Sequence, residues 1–363
     1  DKGEVAKTSS LSMGNGKQSI ILIDGNSYAY KCFYAIRGLS TSRGEQVGAV
    51  FGFLKMVLKF IKDGGYSHIA VVFDSPEPSF RRKEFVDYKA HREKMPEDLQ
   101  KQMPVIKKSL EMLGVVVMEL PGFEADDVLA TVAYRASKNG IKTVILTGDK
   151  DMLQIVGENV RVMNSHKEDL VYDRDKVIER YGIGPENIVD YLALAGDASD
   201  NIPGVPGVGE KTAVELIREF GGLDSVYANV ENVKREKLKK SLVENRDAAF
   251  LSRKLATVVK DAPVETDFES LKMPRPDPRK ASEMLAELEF KSLEKDLGAM
   301  PPESDPGAGK EVRIEPEELK DGNGLERVLK QADKNGALCI GAVETEPDTM
   351  FGPGWKLLLA VPH

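Results

Sequence analysis

Three short apolar runs, each leading to an aspartate, constrain the fold of this 363-residue chain most strongly. The runs are Ser19 to Asp24, His68 to Asp74, and Thr143 to Leu146 with Asp149 closely following. Continuous apolar runs of this length are typical of strands that are buried on both faces of a parallel sheet. Helical patterns lie between the runs, so the sequence predicts an α/β fold with a parallel central sheet flanked by helices.

Acidic residues are predicted to gather at one edge of this sheet. The carboxyl ends of parallel strands share an edge, and ligands bind outside it. A helix that begins within Pro121–Asp127 and a turn at residues 196–201 add further acids. The acids expected at this edge are Asp24, Asp74, Glu124, Asp126, Asp127, Asp149, Asp151, Asp197 and Asp200. For any single one of them, helix capping or turn formation is the alternative explanation.

So many carboxylates at one edge predict bound divalent cations. Like charges packed together repel each other, and some would have to protonate unless a cation relieved the repulsion. All the expected ligands are oxygen atoms, which favours Mg²⁺, with Mn²⁺ as the alternative. Nine acids exceed what one ion uses, so we expect two ions. A metal pair roughly 3.5–4 Å apart serves phosphoryl-type displacement, which makes phosphodiester hydrolysis the leading chemistry.

A glycine-rich stretch over residues 202–213 predicts a phosphate-binding turn. It partly matches a dinucleotide fingerprint, but no strand precedes it and Pro206 interrupts it. A helix–hairpin–helix fits better, because backbone N–H groups at a helix start bind phosphate without reading bases. The DNA contacts expected here are Gly204, Gly207, Gly209, Lys211 and Thr212. A tight interhelical turn without a ligand is the alternative.

A basic stretch, Phe80 to Lys108, follows the second predicted strand. It holds nine Lys and Arg residues against five Asp and Glu residues. A solvated helix surface is the ordinary explanation of such a run. Its position next to the acidic edge indicates instead a mobile basic arch over the metals. In that arch Tyr88 would stack on a base and Lys89 would contact a phosphate.

Composition limits the remaining classes of function. The net charge of −8 argues against a uniformly basic nucleic-acid binder, although local patches remain open. Two cysteines far apart in sequence exclude a disulfide scaffold and fit a reducing compartment. No apolar run approaches the roughly 20 residues that a membrane span needs. We therefore expect a cytoplasmic protein that does not bind a membrane.

The chain is expected to contain several parts. They are a disordered leader (1–17), a catalytic α/β domain (18–185), a helix–hairpin–helix DNA-binding subdomain (186–298), a linker (299–311) and the start of a second α/β domain (312–363). The leader is polar and lacks a signal sequence, and the linker is rich in Pro and Gly. The last part is too short to bury its own core, so we interpret the chain as a fragment of a longer protein.

Six motifs between Ser19 and Leu297 together carry a resemblance to a known family. They are Ile23-Asp-Gly-Asn26, Val72-Phe-Asp74, Phe80-Arg81 with Tyr88-Lys-Ala90, Glu124-Ala-Asp-Asp127, Thr147-Gly-Asp-Lys-Asp151, and the stretch from Gly196 to Gly209. In combination they resemble the 5′ nuclease (flap endonuclease) superfamily with its PIN-like fold, and within it the N-terminal 5′→3′ exonuclease domain of bacterial DNA polymerase I. The last residues resemble the truncated start of the 3′→5′ exonuclease-like domain that follows there. Val343-Glu-Thr-Glu346 stands where that domain has its Asp-x-Glu signature, so proofreading by the parent protein is in doubt.

The resemblance implies roles for individual residues. One ion would lie near Asp24, Asp74, Glu124 and Asp126, and a second near Asp149, Asp151 and Asp200, with Asp127 and Asp197 in outer or shared roles. The candidate catalytic residues are Lys89, Arg92, Arg81 and Asp149. K⁺ is a candidate ligand of the hairpin. The implied substrate is branched or nicked double-stranded DNA with a 5′ flap or an RNA primer, bound by a monomer. The alternatives are a non-catalytic DNA-junction-binding module and a small RNA-cleaving nuclease.

Overall fold

The computed structural model describes residues 18–167 and 170–298, and the backbone of two strands beyond them. These residues belong to two compact units, one within residues 1–299 and one within residues 300–363. The predicted leader, the predicted linker and the helix expected near residues 317–334 lie outside the described residues.

A six-stranded sheet forms the centre of the larger unit, in the order β3-β2-β1-β4-β5-β6. The strands are β1 (Ser19–Asp24), β2 (His68–Val72), β3 (Val116–Met118), β4 (Lys142–Thr147), β5 (Val160–Asn164) and β6 (Val171–Tyr172). Strands β1 to β5 are parallel to one another, and β6 pairs antiparallel with β5 at the edge. The predicted α/β fold with a parallel central sheet is thus confirmed, with one antiparallel edge strand added.

The strand register brings the carboxyl ends of three strands to one edge. All residues of β1 and β2 are buried, as expected for strands that are covered on both faces. Asp24 lies opposite Val72 of β2, and Ile23 lies opposite Leu146 of β4. Each of these three strands therefore ends at the same level, next to the segment that carries its acid.

Six helices accompany the sheet. They are α1 (Gly25–Ala35), α2 (Gly48–Asp63), α3 (Phe80–Glu84), α4 (Glu97–Met112), α5 (Ala125–Lys138) and α6 (Arg174–Tyr181). The sequence predicted α2 as Val47 to Ile61, ended by a Gly-Gly pair, and the structure agrees within two residues. Gly64 ends α2 with φ +62°, a left-handed conformation that glycine adopts without steric penalty.

The basic stretch is more ordered than the sequence predicted. Residues 80–84 form α3, residues 97–112 form α4, and only residues 85–96 connect them. Helix α4 packs against α2 and buries Leu99, Ile106 and Leu110. Twelve of the 29 residues of the stretch therefore belong to a helix with a buried apolar face, and the mobile arch stays a prediction for the residues before α4.

Seven helices make up the second part of the larger unit. They are α7 (Ile188–Ala195), α8 (Glu210–Phe220), α9 (Leu223–Ala228), α10 (Glu236–Glu244), α11 (Arg246–Ala256), α12 (Pro278–Glu287) and α13 (Lys291–Gly298). The sequence predicted a helix from Glu210 to Phe220, and α8 has these bounds. The single amphipathic helix expected at Ala281 to Leu297 is two helices, because Glu289 adopts φ +61° and interrupts the helical backbone.

The smaller unit is described through two strands only. They are β7 (Cys339–Thr345) and β8 (Gly354–Ala360), and they pair antiparallel. The sequence predicted strands at Ala337 to Gly341 and Lys356 to Val361, so both strands are confirmed with shifted bounds. In the part of the chain that the structure describes, no helix is both long and apolar enough to cross a bilayer.

Helices α1 and α2 approach closely at Gly48, which gives a test of the fold. A Cβ at Gly48 would lie 2.2 Å from the Ile36 carbonyl oxygen. We expect Gly48→Ala to lower the free energy of unfolding by about 1–3 kcal/mol, as overpacking does. Denaturant unfolding measures it. The matched control is Gly65→Ala, where a Cβ meets no described atom within 4 Å and the change should stay within about 0.5 kcal/mol. Equal effects of both variants would contradict the close approach.

Candidate metal centre

A cavity of about 1010 Å³ opens at the carboxyl edge of β1, β2 and β4. Four of the predicted acids line it, and each comes from a different element. Asp24 ends β1, Asp74 follows β2, Asp126 lies in the first turn of α5, and Asp149 follows β4. The topology therefore brings these four carboxylates together, although up to 125 residues separate them in sequence.

Hydrogen bonds orient the carboxylates in this cavity. Asp24 accepts one from the Ser27 amide at 2.9 Å, which caps α1, and one from Thr147 Oγ1 at 2.7 Å. Asp74 accepts one from the Ala125 amide at 2.8 Å. The capping explanation that the sequence left open is therefore correct for Asp24. It does not exclude ligation, because a carboxylate oxygen has more than one lone pair.

A second acidic cluster consists of Asp151, Asp197 and Asp200. All three side chains are buried, and one carboxylate oxygen of each lies within 4.8 Å of those of the other two. Asp151 Oδ1 is buried and has no hydrogen-bond partner among the described residues. Burying a carboxylate oxygen without a hydrogen-bond partner is costly, so this oxygen atom is suited to be a cation ligand. The donor set of three carboxylates fits a hard divalent cation.

The acids perturb one another's ionisation. Burial raises the pKa of Asp24 to about 7, against the hydrogen bonds from Ser27 and Thr147, and the charges of Asp74 and Asp149 raise it further. Burial also raises the pKa of Asp126 and of Asp151, and the charge of Asp149 adds to both. The pKa of Asp149 is raised by burial and by the charge of Asp200. Strongly perturbed carboxylates in a cleft indicate a functional site.

Two of the cations that line the cavity are Lys89 and Arg92. Lys89 Nζ lies 3.0 Å from Glu124 Oε1 and 3.6 Å from Asp200 Oδ2, so it joins the start of α5 to the second cluster. Arg92 Nη2 lies 2.5 Å from Asp200 Oδ1. Both cations line the large cavity, next to Asp126 and Asp149. Positive side chains at this place are able to bind an anionic group that enters the cavity.

The prediction that Tyr88 stacks on a base is corrected. Its side chain is only 3% exposed and packs in the apolar core. Its hydroxyl group donates a hydrogen bond to Glu124 Oε2 at 3.0 Å. Tyr88 therefore supports Glu124 from the interior and offers no ring face to a ligand.

The predicted roles of Arg81 and Asp127 are also corrected. Arg81 is 2% exposed, Asp127 is fully buried, and two hydrogen bonds of 2.7 Å join their side chains. Asp127 also accepts from the Glu124 and Val259 amides. With both oxygens engaged in this way, Asp127 is a structural ion-pair partner rather than a metal ligand, and Arg81 lies too deep to contact a substrate.

Glu124 lies between the buried Arg81 and the cavity-lining Lys89. It begins α5, and it forms a capping box with Asp127 instead of sharing an open helix face with it. Its carboxylate accepts hydrogen bonds from Arg81, Tyr88 and Lys89. Three donors already occupy its oxygen atoms, so Glu124 is better placed to orient Lys89 than to bind a metal ion.

The glycine hairpin divides into a buried and an exposed part. Gly204 is buried with φ +63°, its N–H donates to Ser252 Oγ at 2.9 Å, and a Cβ there would lie 2.4 Å from the Gly196 nitrogen. The prediction that Gly204 contacts DNA is therefore corrected. Gly207, Gly209 and Lys211 are exposed and Thr212 is half-buried. Among the described residues no side chain caps α8, and its contact with DNA stays a prediction.

Sequence reasoning missed several residues of the large cavity. They are Asn26, Ser27, Lys31, Ala35, Met95, Ala125, Gly148, Lys150, His166 and Ser199. Tyr30 and Tyr34, which the aromatic pattern of α1 offers as stacking partners for a nucleotide, also line the cavity. Asn26, Ser27 and Lys150 adjoin predicted acids in the sequence, and this proximity was a usable signal. Lys150 Nζ lies 3.4 Å from Asp197 Oδ1. His166 follows β5, and nothing in its local sequence indicated that it reaches the site.

Comparison with known proteins gives an independent view of the chain. A family model described as "5'-3' exonuclease, N-terminal resolvase-like domain" matches residues 19–182, and "5'-3' exonuclease, C-terminal SAM fold" matches residues 183–279. The thermostable DNA polymerase I of Thermus thermophilus is 45% identical over 284 residues, which cover 78% of this chain and 34% of that protein. The 5'-3' exonuclease of Aquifex aeolicus is 42% identical over 282 residues, which cover 77% of this chain and 95% of that protein. The chain thus spans about a third of the length of its DNA polymerase I relatives.

Two solved structures share the fold at low sequence identity. A T5 5′-exonuclease with bound divalent metal ions (zinc) matches with a TM-score of 0.56 and 17% identity, over 78% of this chain and 98% of that one. The catalytic core of Rad2 in complex with a DNA substrate matches with a TM-score of 0.54 and 18% identity, over 78% of this chain and 93% of that one. Both confirm the predicted fold class.

The raised pKa values predict how stability depends on pH and metal. The pKa of Asp24 is about 7 in the folded protein against an ordinary value of 3.8, so the metal-free folded state binds the proton more tightly than the unfolded chain does. Between about pH 4 and pH 7, raising the pH should therefore destabilise the metal-free protein through this group. A divalent cation stabilises the ionised form, so Mg²⁺ should raise Tm more at pH 8 than at pH 5.

Thermal unfolding in EDTA and in Mg²⁺, between about pH 4 and pH 8, measures the pH dependence of stability and the stabilisation by Mg²⁺. Asp24→Asn removes the titrating group and should flatten the pH slope in EDTA relative to the unmutated chain. A stabilisation by Mg²⁺ that is the same at both pH values would contradict the linkage between proton and metal.

Proposed function

Because the chain belongs to the 5′-3′ exonuclease family, we propose that it is a metal-dependent, structure-selective 5′→3′ exonuclease and 5′-flap endonuclease. The motifs that resembled this family in the sequence are confirmed by both family models. The proposed substrate is nicked or branched double-stranded DNA with a 5′ flap or an RNA primer. The proposed setting is lagging-strand maturation and repair, as the N-terminal part of a DNA polymerase I. The observation that carries the proposal is the pair of acidic groups with Lys89 between them.

Two Mg²⁺ ions are the proposed cofactors, with Mn²⁺ as the alternative. The acids Asp24, Asp74, Asp126 and Asp149 would hold one ion, and Asp151, Asp197 and Asp200 would hold the other. When bound, such ions activate water and neutralise charge on the phosphoryl group that is displaced. The unpaired Asp151 oxygen and the raised pKa values of Asp24, Asp126, Asp149 and Asp151 support the assignment.

Lys89 and Arg92 are the proposed contacts to the scissile phosphate. Both line the acidic cavity and pair with Glu124 and Asp200. A phosphate between them gains charge-assisted hydrogen bonds, which strengthen as negative charge develops on its oxygens. The cavity has the volume of a site that binds a small ligand rather than a DNA duplex. A frayed terminal nucleotide is therefore the proposed occupant.

The glycine turn and the start of α8 are the proposed grip on the duplex. Gly207, Gly209 and Lys211 are exposed, and the first-turn amides of α8 suit a phosphate of the DNA backbone. K⁺ is the proposed ligand of this turn. Contacts of this kind position the duplex without reading its sequence. The chain would work as a monomer on DNA structure rather than on DNA sequence.

A flap-cleavage assay tests the proposal. We expect the unmutated chain to cut a labelled 5′-flap DNA in Mg²⁺. Asp149→Asn should lower kcat by about 100-fold or more, the order of effect that a lost electrostatic contact to the reacting group produces. Asparagine keeps the oxygen that accepts from the Asp151 amide, so the local fold should survive. DNA binding should also survive, as measured by fluorescence anisotropy.

The matched control is Asp173→Asn. Asp173 likewise caps a helix, accepting from the Lys176 amide, but it does not line the cavity. This variant should cleave as the unmutated chain does. DNA binding without cleavage by the unmutated chain would favour the non-catalytic junction-binding module instead.

A further inference from the structure

The last two residues of α11 and the three that follow it, residues 255–259, form a segment that we call the return segment. The chain leaves the helical part here and continues to the sheet. At the sheet, the Ile69 amide of β2 donates a hydrogen bond to the Leu271 carbonyl oxygen. Its backbone is held by side chains from the α/β part of the unit. Arg81 donates to the carbonyls of Leu255 and Thr257 at 2.9 and 2.6 Å. Asp127 accepts from the Val259 amide at 2.8 Å.

Gln154 holds the same segment at its centre. Its Nε2 donates to the Ala256 carbonyl at 2.8 Å, and its Oε1 accepts from the Val258 amide at 3.1 Å. The same Nε2 also donates to the Asp151 carbonyl at 3.0 Å. Both N–H groups and the oxygen of the amide are therefore used. Asp151 and Gln154 both lie in a short 3-10 helix, Lys150–Ile155. One side chain thus joins the return segment to this short helix.

The other end of the return segment leads to the remaining acids of the second cluster. Helix α11 packs against α7, and α7 leads directly into the loop that carries Asp197 and Asp200. Ser252 Oγ of α11 also accepts a hydrogen bond from the Gly204 amide of the hairpin. The cluster of Asp151, Asp197 and Asp200 is consequently assembled from two parts of the unit, and the return segment runs between them.

Mutual repulsion of the three carboxylates tends to separate these two parts. Asp151 Oδ1 has no hydrogen-bond partner among the described residues, and what fixes its place is the backbone of its short helix. That backbone is held at the Asp151 carbonyl by Gln154. The contacts that orient acids around a metal commonly set its affinity as strongly as the ligands do.

We propose that Gln154 is a positioning residue that sets the spacing of Asp151 against Asp197 and Asp200, and with it the affinity of this cluster for a divalent cation. The proposal deepens the proposed function and rests on it for the consequence in catalysis. Gln154 itself touches neither substrate nor metal. It acts through the backbone of Asp151 and through the return segment.

The test is Gln154→Met, which keeps the length and approximate volume of the side chain and removes the amide. Mn²⁺ binding in the absence of DNA is titrated by calorimetry. We expect the apparent Kd of one of the two sites to rise about 10-fold or more, the usual range for a residue that supports a metal ligand. The Mg²⁺ concentration for half-maximal flap cleavage should rise in parallel, KM for DNA should stay within about 2-fold, and excess Mg²⁺ should restore kcat.

Two further variants keep the test decisive. Gln154→Glu retains the acceptor for the Val258 amide but loses both donors, so it should weaken Mn²⁺ binding even if Gln154→Met fails to fold. The matched control is Asn139→Leu, because the Asn139 amide also donates to a backbone carbonyl, that of Arg135, at the opposite end of α5 from Asp126. It should leave Mn²⁺ binding unchanged.

Unchanged Mn²⁺ affinity in both Gln154 variants would overturn the proposal, whether or not their Tm values in EDTA fall. Failure of the proposed function gives a different result. In that case the unmutated chain binds Mn²⁺ but cuts no flap, and the comparison of Mn²⁺ affinities still decides the role of Gln154.

Discussion

Repulsion among clustered carboxylates is the constraint on which the rest of this structure depends. Seven acids from several regions of the chain lie in two neighbouring groups, and burial raises the pKa of Asp24, Asp126, Asp149 and Asp151. A fold that left them unsupported would separate or protonate them. Lys89 and Arg92 offset part of the charge, and hydrogen bonds from Ser27, Thr147 and Ala125 fix individual oxygens. The remaining repulsion is what makes the site receptive to divalent cations.

Support for these acids comes from a buried network of ion pairs and hydrogen bonds beside the cavity. Arg81, Asp127 and Glu124 form it, and Tyr88 and Lys89 join it at Glu124. Breaking a buried ion pair by removing one partner typically costs about 3–5 kcal/mol, because the other charge is left uncompensated. This network explains why a stretch with three acids in one turn contributes only one, Asp126, to the lining of the cavity.

The two acidic groups differ in origin. The first is built from strand ends and the start of α5, so the sheet register alone brings most of it together. The second joins Asp151, next to the sheet, with Asp197 and Asp200 from the loop after α7, so it depends on how the helical part packs. Arg81, Asp127 and Gln154 bind the return segment and thereby tie the two parts to each other.

The sequence alone determined the features that short-range patterns specify. Buried apolar runs ending in aspartate predicted the parallel sheet and its acidic edge, and the glycine-rich turn that ends at Gly209 predicted the helix that follows it, α8. Only the tertiary structure decided between roles that one residue type can fill. Asp127 has the same side chain as Asp126, but a guanidinium 46 residues away in the chain occupies its oxygens. Tyr88, Gly204 and Gln154 likewise owe their roles to distant partners, up to 104 residues apart for Gln154. Local sequence carries no information about such partners, because they meet only when the chain has folded.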